Sequence, residues 1–271
     1  MELLYRNYDT IYPIMEHCVK SLEATMNDEQ CKQLDEQGYL IFKNLLLPSQ
    51  IEALLARLEE LWAEEGDKAG EENYIEPGVR RLANLANKGR IFREVYAQPR
   101  VLEVVEAVMG PDMRASMVNA RDVLPHTGTQ MPFHMDSDKG RVRDEIGYSA
   151  ATAIWMLDEF TVENGGTAVV PGSHLLGKSP KQVLTDLNAS HPDEIIIEGK
   201  PGDVFVFNGH CWHAGRPNLT NSHRRALLVH YLRADVPRPE NRRQHLDAEN
   251  AAALSAQDRI LLGLDDLQVE T

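Results

Sequence analysis

Apolar residues in the first half of the chain recur three and four positions apart, which is the spacing of amphipathic helices. The pattern predicts a first short helix that is capped by Asn27 and ended by Gly38. A second helix is predicted from a capping pattern that starts with Ser49, and a third follows Pro99 and stops at Gly110. The apolar stripe of the second helix consists of Ile51, Leu54, Leu55, Leu58, Leu61 and Trp62.

The second half of the chain has a different pattern, with short β-branched and aromatic runs separated by Gly, Pro and Asn. The predicted strands are residues 39–42, 116–123, 151–156, 167–170, 194–197, 204–207 and 226–232. Many short strands beside few helices predict a mainly β fold, a barrel or jelly roll with flanking α-helices packed outside it.

The composition argues against some classes of function but does not indicate a particular one. Of 271 residues, 42% are apolar and 26% charged, as in ordinary soluble proteins. We expect one domain over residues 1–271, with an N-terminal extension at 1–26 and a peripheral C-terminal tail at 237–271. The formal net charge of −14 argues against nucleic-acid binding, and no apolar run is long enough to span a membrane. Three scattered cysteines and the lack of a secretory signal predict a cytoplasmic protein, and a homodimer stays open.

Candidate chemistry begins with His134 and Asp136, which stand two positions apart. An extended strand places such residues on one face, so an imidazole and a carboxylate can share a metal ion. With His213 from a later strand they make a 2-His-1-carboxylate set, which leaves positions open on the metal and suits non-haem Fe(II) oxygen chemistry. A His-x-Asp pair also occurs in ordinary polar loops, so its weight depends on the rest of the sequence.

Further motifs follow this pair in a definite order. They are Glu163-Asn-Gly-Gly-Thr167, Pro171-Gly-Ser-His174, Pro201-Gly-Asp203, Trp212-His213 and Arg224-Arg-Ala226. Together with His134-x-Asp136, this order resembles the phytanoyl-CoA dioxygenase (PhyH) family of Fe(II)- and 2-oxoglutarate-dependent oxygenases. The resemblance extends from about residue 29 to 235 and implies a double-stranded β-helix core, a cupin-like jelly roll, with iron inside the barrel mouth.

The resemblance also implies roles for individual residues. The iron ligands would be His134, Asp136 and His213. Arg224 would pair with the distal carboxylate of 2-oxoglutarate, as a guanidinium binds carboxylate in a bidentate fork. Thr167 matches a hydroxyl that hydrogen-bonds the cosubstrate, and Gln130 resembles a glutamine that reaches its other end. O2 would take the last open position on the metal.

Two of these residues have close rivals. His210 and His213 are three positions apart and point to opposite faces of a strand, so only one is expected to bind metal. Arg224 and Arg225 are adjacent, so only one can point inward. Family spacing selects His213 and Arg224, and we expect His210 at the barrel rim.

Contacts with an organic substrate are expected from the strand and loop before the ligands. The predicted residues are Met117, Asn119 and His126. A basic stretch, from Arg80 to Arg100, could steer an anionic substrate or could simply be a solvated surface.

The sequence as a whole predicts a dioxygenase that hydroxylates an unactivated C–H bond of a small or medium-sized organic molecule, with release of succinate and CO2. Asp136 favours hydroxylation, because related halogenases carry a small residue there to admit chloride. The same iron site could also catalyse desaturation, cyclisation or rearrangement in natural-product biosynthesis. Two further hypotheses are a cupin-like metal-binding or sensing protein and a zinc hydrolase. A sensor has no need of an anchor such as Arg224, and no general base for a hydrolase belongs to a motif.

Overall fold

Two antiparallel sheets form the centre of the molecule in the computed structural model, which describes residues 26–73, 75–128, 130–137, 143–237 and 246–264. The strands are β1 (Tyr39–Phe42), β2 (Val79–Leu82), β3 (Met113–Val123), β4 (Met131–His134), β5 (Ala150–Met156), β6 (Ala168–Val170), β7 (Ile195–Ile196), β8 (Val204–Asn208), β9 (Trp212–Gly215) and β10 (Arg224–Arg233). The larger sheet has the order β1-β8-β5-β10-β3-β2, and the smaller sheet has the order β4-β9-β6-β7.

Helices lie before, between and after the strands. They are α1 (Asp28–Gln37), α2 (Pro48–Glu65), α3 (Arg93–Tyr96), α4 (Pro99–Met109), α5 (Ala248–Ala252) and α6 (Ala256–Leu261). Short 3-10 turns occupy Gly66–Lys68, Leu85–Asn87, Arg90–Phe92, Ser173–Leu176 and Pro180–Gln182. Within the described residues, no helix is long and apolar enough to cross a bilayer.

Strict alternation of side chains gives the larger sheet two different apolar faces. The outer face, which includes Trp155 and Leu227, joins α2 and α4 in one buried cluster. On the inner face, Phe205 and Phe207 pack with Val169 of the smaller sheet. The inner faces of both sheets therefore form the interior of a barrel, and the helices cover it from one side.

The predicted fold class is confirmed: the structure is mainly β, with a jelly-roll core and flanking helices. All seven predicted strands are present, with bounds that differ by up to three residues. The expected start of the second helix is wrong, because α2 begins at Pro48 rather than after a Ser49 cap. Proline suits the first helical position, where its fixed φ fits and no N–H is needed. Gln50 then accepts a hydrogen bond from the Leu47 N–H at 2.8 Å.

The described part of the C-terminal tail, residues 246–264, is docked on the domain. Leu261 and Leu262 are buried in the outer apolar cluster. Arg93 donates to the buried Asp258 carboxylate at 2.9 Å. Residues 1–25 of the expected N-terminal extension lie outside the described residues, and the division of the chain into domain, extension and tail stays a prediction.

Candidate active site

Three potential metal-binding side chains meet at the edge of the smaller sheet. His134 ends β4 and is directly opposite His213 of β9, and their rings are 4.1 Å apart between centroids. Asp136 lies just beyond the strand, where its N–H donates to the Gly209 carbonyl at 2.8 Å. The ligand atoms of the three side chains lie within 4.8 Å of one another.

Backbone carbonyls orient both imidazoles. His134 Nδ1 donates to the Pro132 carbonyl at 2.8 Å, and His213 Nδ1 donates to the Cys211 carbonyl at 3.0 Å. Each bond fixes the tautomer that leaves Nε2 as the free electron-pair donor. Both Nε2 atoms face Asp136 Oδ1, at 4.0 Å from His134 and 3.6 Å from His213. The three donor atoms are thus turned towards one point.

A hydroxyl from the larger sheet holds the carboxylate. Thr152 of β5 donates to Asp136 Oδ2 at 2.5 Å, which leaves Oδ1 to face the histidines. Thr152 is directly opposite both Phe207 and His230, on the inner face of the sheet. Its hydrogen bond to Asp136 was not predicted from the sequence. The predicted strand 151–156 contains Thr152, however, and alternation along that strand indicates the face on which its side chain lies.

The charges of the three groups depend on one another. Burial, aided by the His213 charge, lowers the pKa of His134 to about 4. Burial alone would raise the pKa of Asp136, but the charge and hydrogen bond of His213 outweigh it and hold this pKa well below its usual range. Burial alone would lower the pKa of His213, but Asp136 outweighs it and raises the pKa. At neutral pH Asp136 is therefore a carboxylate and His134 is neutral. His213 binds a proton more readily than an ordinary histidine, because Asp136 stabilises its charged form.

Arg224 is the first residue of β10 and is buried inside the barrel. Its guanidinium lies 4.8 Å from the centroid of the Phe160 ring. The Nε and Nη2 atoms are buried and have no hydrogen-bond partner among the described residues. Burial, and then the charge of Arg121, lowers the pKa of Arg224 to about 9, so it remains a cation at neutral pH. Two unpartnered N–H donors on one guanidinium fit a carboxylate ligand.

The other two predicted cosubstrate residues differ in position. Thr167 is buried and stands two residues before Val169, the partner of His213, so it shares the inner face of the smaller sheet. Gln130 donates to the Asn188 carbonyl at 2.9 Å and is not brought together with the other residues. A cosubstrate role for either residue stays a prediction.

The residues predicted to contact the substrate also lie in two different places. Met117 and Asn119 lie two apart on β3, opposite His230 and Leu228 of β10, and so share the inner face. His126 is exposed in a loop, where its Nε2 lies 2.6 Å from Asn221 Oδ1. The structure therefore groups Met117 and Asn119 with the barrel interior and leaves His126 on the surface.

Arg121 is an inner-face residue that was not predicted from the sequence. It is the next residue in phase after Met117 and Asn119, so the same alternation could have identified it. It is 9% exposed and is bound to the buried carboxylate of Glu76. Its charge contributes to the lowered pKa of Arg224.

The rival residues point elsewhere. His210 is buried rather than at the barrel rim, with Nε2 2.9 Å from Ser149 Oγ. Arg225 faces outward and binds Asp158 through Nε at 2.8 Å. Both observations agree with the choice of His213 and Arg224.

The basic stretch does not form a free cationic surface. Five of its six basic residues form ion pairs with carboxylates. They are Arg80, Arg81, Lys88, Arg93 and Arg100. This pairing favours the structural interpretation of the stretch over substrate steering.

Comparison with known proteins identifies the family. The phytanoyl-CoA dioxygenase (PhyH) family matches residues 34–226, which is most of the chain. The chain belongs to this family of Fe(II)- and 2-oxoglutarate-dependent oxygenases. Dioxygenase af480 of Aspergillus fumigatus, a similar protein, is 27% identical over 256 residues, covering 92% of this chain and 80% of the relative.

Solved structures share the fold. The non-haem α-ketoglutarate-dependent carbocyclase SnoK from nogalamycin biosynthesis has a TM-score of 0.62 at 23% identity, covering 85% of this chain and 92% of SnoK. HygX from Streptomyces hygroscopicus, with nickel, 2-oxoglutarate and hygromycin B bound, has a TM-score of 0.64 at 18% identity, covering 79% of this chain and 90% of HygX. At these identities the likeness establishes the double-stranded β-helix architecture.

The hydrogen bond from Thr152 predicts a measurable effect on metal binding. Thr152→Val keeps the shape but removes the donor, and we expect the affinity for Co(II) to fall about tenfold or more, as for other groups that orient metal ligands. Thr152→Ser keeps the hydroxyl and should retain most of the affinity. Titration of the apoproteins with Co(II), followed by absorbance, measures this. Equal affinity of Thr152→Val and wild type would contradict the assigned role.

Because a proton and a metal ion compete for His213, the affinity for metal should depend on pH. The raised pKa of His213 means that a metal must displace its proton once the pH falls below that pKa. We therefore expect the Co(II) affinity to be constant at high pH and to fall about tenfold per pH unit below the pKa of His213. His134 adds no proton in this range, because its pKa is about 4. An affinity that is constant from about pH 8 to about pH 5 would contradict this coupling.

Proposed function

We propose that this chain is a dioxygenase that hydroxylates an unactivated C–H bond of a small or medium-sized organic substrate, using Fe(II), 2-oxoglutarate and O2. The observation that carries the proposal is the pairing of the His134–Asp136–His213 set with the buried Arg224 guanidinium, whose Nε and Nη2 lack partners in the described part of the chain. Metal ligands alone fit many functions. An inward-facing cation with free donors adds a place for the cosubstrate.

The side chains present fit both groups. His134, Asp136 and His213 would hold iron through Nε2, Oδ1 and Nε2, and three protein ligands on one face leave positions open for cosubstrate and O2. Arg224 would hold the distal carboxylate of 2-oxoglutarate, with the Thr167 hydroxyl on the same interior surface. When bound, iron and 2-oxoglutarate supply the oxidation of the C–H bond, with release of succinate and CO2.

The protein residues determine orientation and access in this scheme. The carbonyl bonds to His134 and His213 fix the orientation of both rings, so that each Nε2 is aimed at the metal position. Phe207 packs edge-on against His213 at 4.7 Å between centroids and limits water on that side. Met117 and Asn119 are the inner-face residues that we propose as substrate contacts.

The carboxylate at position 136 supports hydroxylation over halogenation, because it occupies the position that chloride needs in related halogenases. A second outcome has a specific observation in its favour, since the similar fold of SnoK belongs to a carbocyclase. Ring closure at the same site is therefore the alternative reaction. Arg224 disfavours a metal-binding protein without turnover, which would not need a buried carboxylate anchor.

The proposal is tested by a charge-transfer band. Apoprotein mixed anaerobically with Fe(II) and 2-oxoglutarate should develop visible absorbance from the metal and the chelating cosubstrate. Asp136→Ala combined with His213→Ala should abolish the band, whereas Asp193→Ala, which removes an exposed carboxylate, should not change it. The absence of a band in the wild type would overturn the proposal. Succinate release across candidate compounds then identifies the substrate.

Two adjacent arginines make a matched test of the cosubstrate anchor. Arg224→Leu should weaken 2-oxoglutarate binding about a hundredfold, because bonds between a buried guanidinium and a carboxylate contribute about 3 kcal/mol. Arg225→Leu removes an outward-facing guanidinium and should leave the affinity unchanged within about twofold. Titration of the band with 2-oxoglutarate measures both constants. Similar losses in the two variants would place the anchor elsewhere.

A further inference from the structure

The Pro171-Gly-Ser-His174 motif lies against the turn that precedes His213. Ser173 and His174 begin a short 3-10 turn after β6, and their side chains are only 2% and 3% exposed. Polar side chains that are buried to this extent need hydrogen-bond partners. Both have partners in the two residues before His213, which are Cys211 and Trp212.

Ser173 joins the end of β6 to the start of β9. Its hydroxyl donates to the Val170 carbonyl at 2.6 Å, and the same oxygen accepts from the Trp212 N–H at 2.7 Å. Val170 and Trp212 are directly opposite each other in the smaller sheet. The serine therefore links the two strands just beyond their last backbone pair. His213 is the next residue of β9, so its place in the sheet depends on where Trp212 is held.

His174 holds the residue before Trp212. Its Nε2 lies 3.0 Å from the Asp35 carbonyl. A carbonyl oxygen only accepts, so Nε2 is the donor and Nδ1 has the free electron pair. Burial lowers the pKa of His174 to about 4, so the ring is neutral at neutral pH, as this arrangement requires. Nδ1 then accepts from the Cys211 thiol at 3.6 Å. The carbonyl of Cys211 in turn accepts from His213 Nδ1 at 3.0 Å.

The end of α1 is packed against the same group. Gly38 ends this helix at a φ of 81°, and a Cβ built on it would overlap Cys211 Sγ and lie 2.6 Å from His174 Nδ1. The Gln37 carbonyl accepts from the Gly172 N–H at 3.0 Å. The end of α1, the motif and the turn before His213 are therefore one close-packed unit, in which a shift of one part moves the others.

Each of the two residues before His213 is thus held by one side chain of the motif. The orientation of a metal-binding imidazole depends on the bond at its other ring nitrogen and on the backbone that carries it. Resting on the proposed function, we propose that Ser173 and His174 are positioning residues for His213. Ser173 acts through the backbone N–H of Trp212. His174 acts through Cys211, whose carbonyl orients the His213 ring.

Ser173→Ala tests the first of these links. It leaves the buried Trp212 N–H without its acceptor, so the start of β9 should shift and His213 Nε2 should move with it. We expect the dissociation constant of Co(II) to rise about tenfold or more. The visible absorption spectrum of bound Co(II) should also change shape, because it reports the arrangement of the ligands. Ser173→Thr keeps the hydroxyl and should recover most of the affinity and the wild-type spectrum. Titration of the apoproteins with Co(II), followed by absorbance, measures both quantities.

Ser255→Ala is the matched control for a general loss of stability. Ser255 also accepts a hydrogen bond from a backbone N–H, that of Asp258 at 3.1 Å, but it does so at the start of α6 in the C-terminal tail. Loss of this cap should lower the thermal unfolding temperature. The Co(II) affinity should stay within about twofold of the wild type, and the spectrum should not change.

His174→Phe tests the second link, since it keeps a flat ring and removes Nδ1 and Nε2. It should change the Co(II) affinity and spectrum in the same direction as Ser173→Ala, and it decides the matter if Ser173→Ala does not fold. Wild-type affinity and spectrum in a folded Ser173→Ala or His174→Phe protein would overturn the proposal. Equal losses of affinity in Ser173→Ala and Ser255→Ala would also overturn it, because they would mark a general defect. A wild type that binds no Co(II) would instead reject the proposed function, and this inference with it.

Discussion

The pairing of β4 with β9 is the interaction on which the candidate site depends. Its register sets His134 directly opposite His213, so two residues that are far apart in the chain share one pair of strands. Side chains on a strand alternate, and a slip of one residue would send one imidazole to the other face. Asp136 completes the set because the chain leaves β4 and binds Gly209 in the turn before β9. The geometry of the candidate metal site is thus a consequence of strand pairing.

Alternation also places neighbouring charged residues of β3 and β10 on opposite faces of the larger sheet. Arg121 and Arg224 face the interior, where Glu76 binds Arg121. Their neighbours Asp122 and Arg225 point to the outer face of the larger sheet, where they form ion pairs with Arg80 and Asp158. Those pairs satisfy both partners, whereas the interior guanidinium of Arg224 has Nε and Nη2 atoms without a partner among the described residues and therefore favours an anionic ligand. Arg224 and Arg225 are adjacent arginines, but only Arg224 faces the barrel interior, where it can contact a bound ligand.

Sequence patterns predicted the parts of this structure that depend on periodicity and on motifs. The strand and helix runs, the His134–Asp136 pair and the choice of Arg224 over Arg225 follow from spacing and family order. Side-chain hydrogen bonds between distant segments were not accessible in this way. Thr152 looks like any threonine in an apolar strand until its hydroxyl meets Asp136. Glu76 likewise gains significance only because folding brings it to Arg121, 45 residues later.

The Gly209 carbonyl accepts hydrogen bonds from both Asp136 and Ser137, so backbone bonds join the turn before His213 to the segment after His134. These bonds hold the donor groups near one another, and such preorganisation lowers the entropic cost of binding an ion. A rigid set of two imidazoles and one carboxylate has little means of rejecting other divalent first-row metals, whose affinities follow the Irving–Williams order. A set of this kind would bind iron in preference to nickel, copper or zinc only where iron is supplied in excess of them.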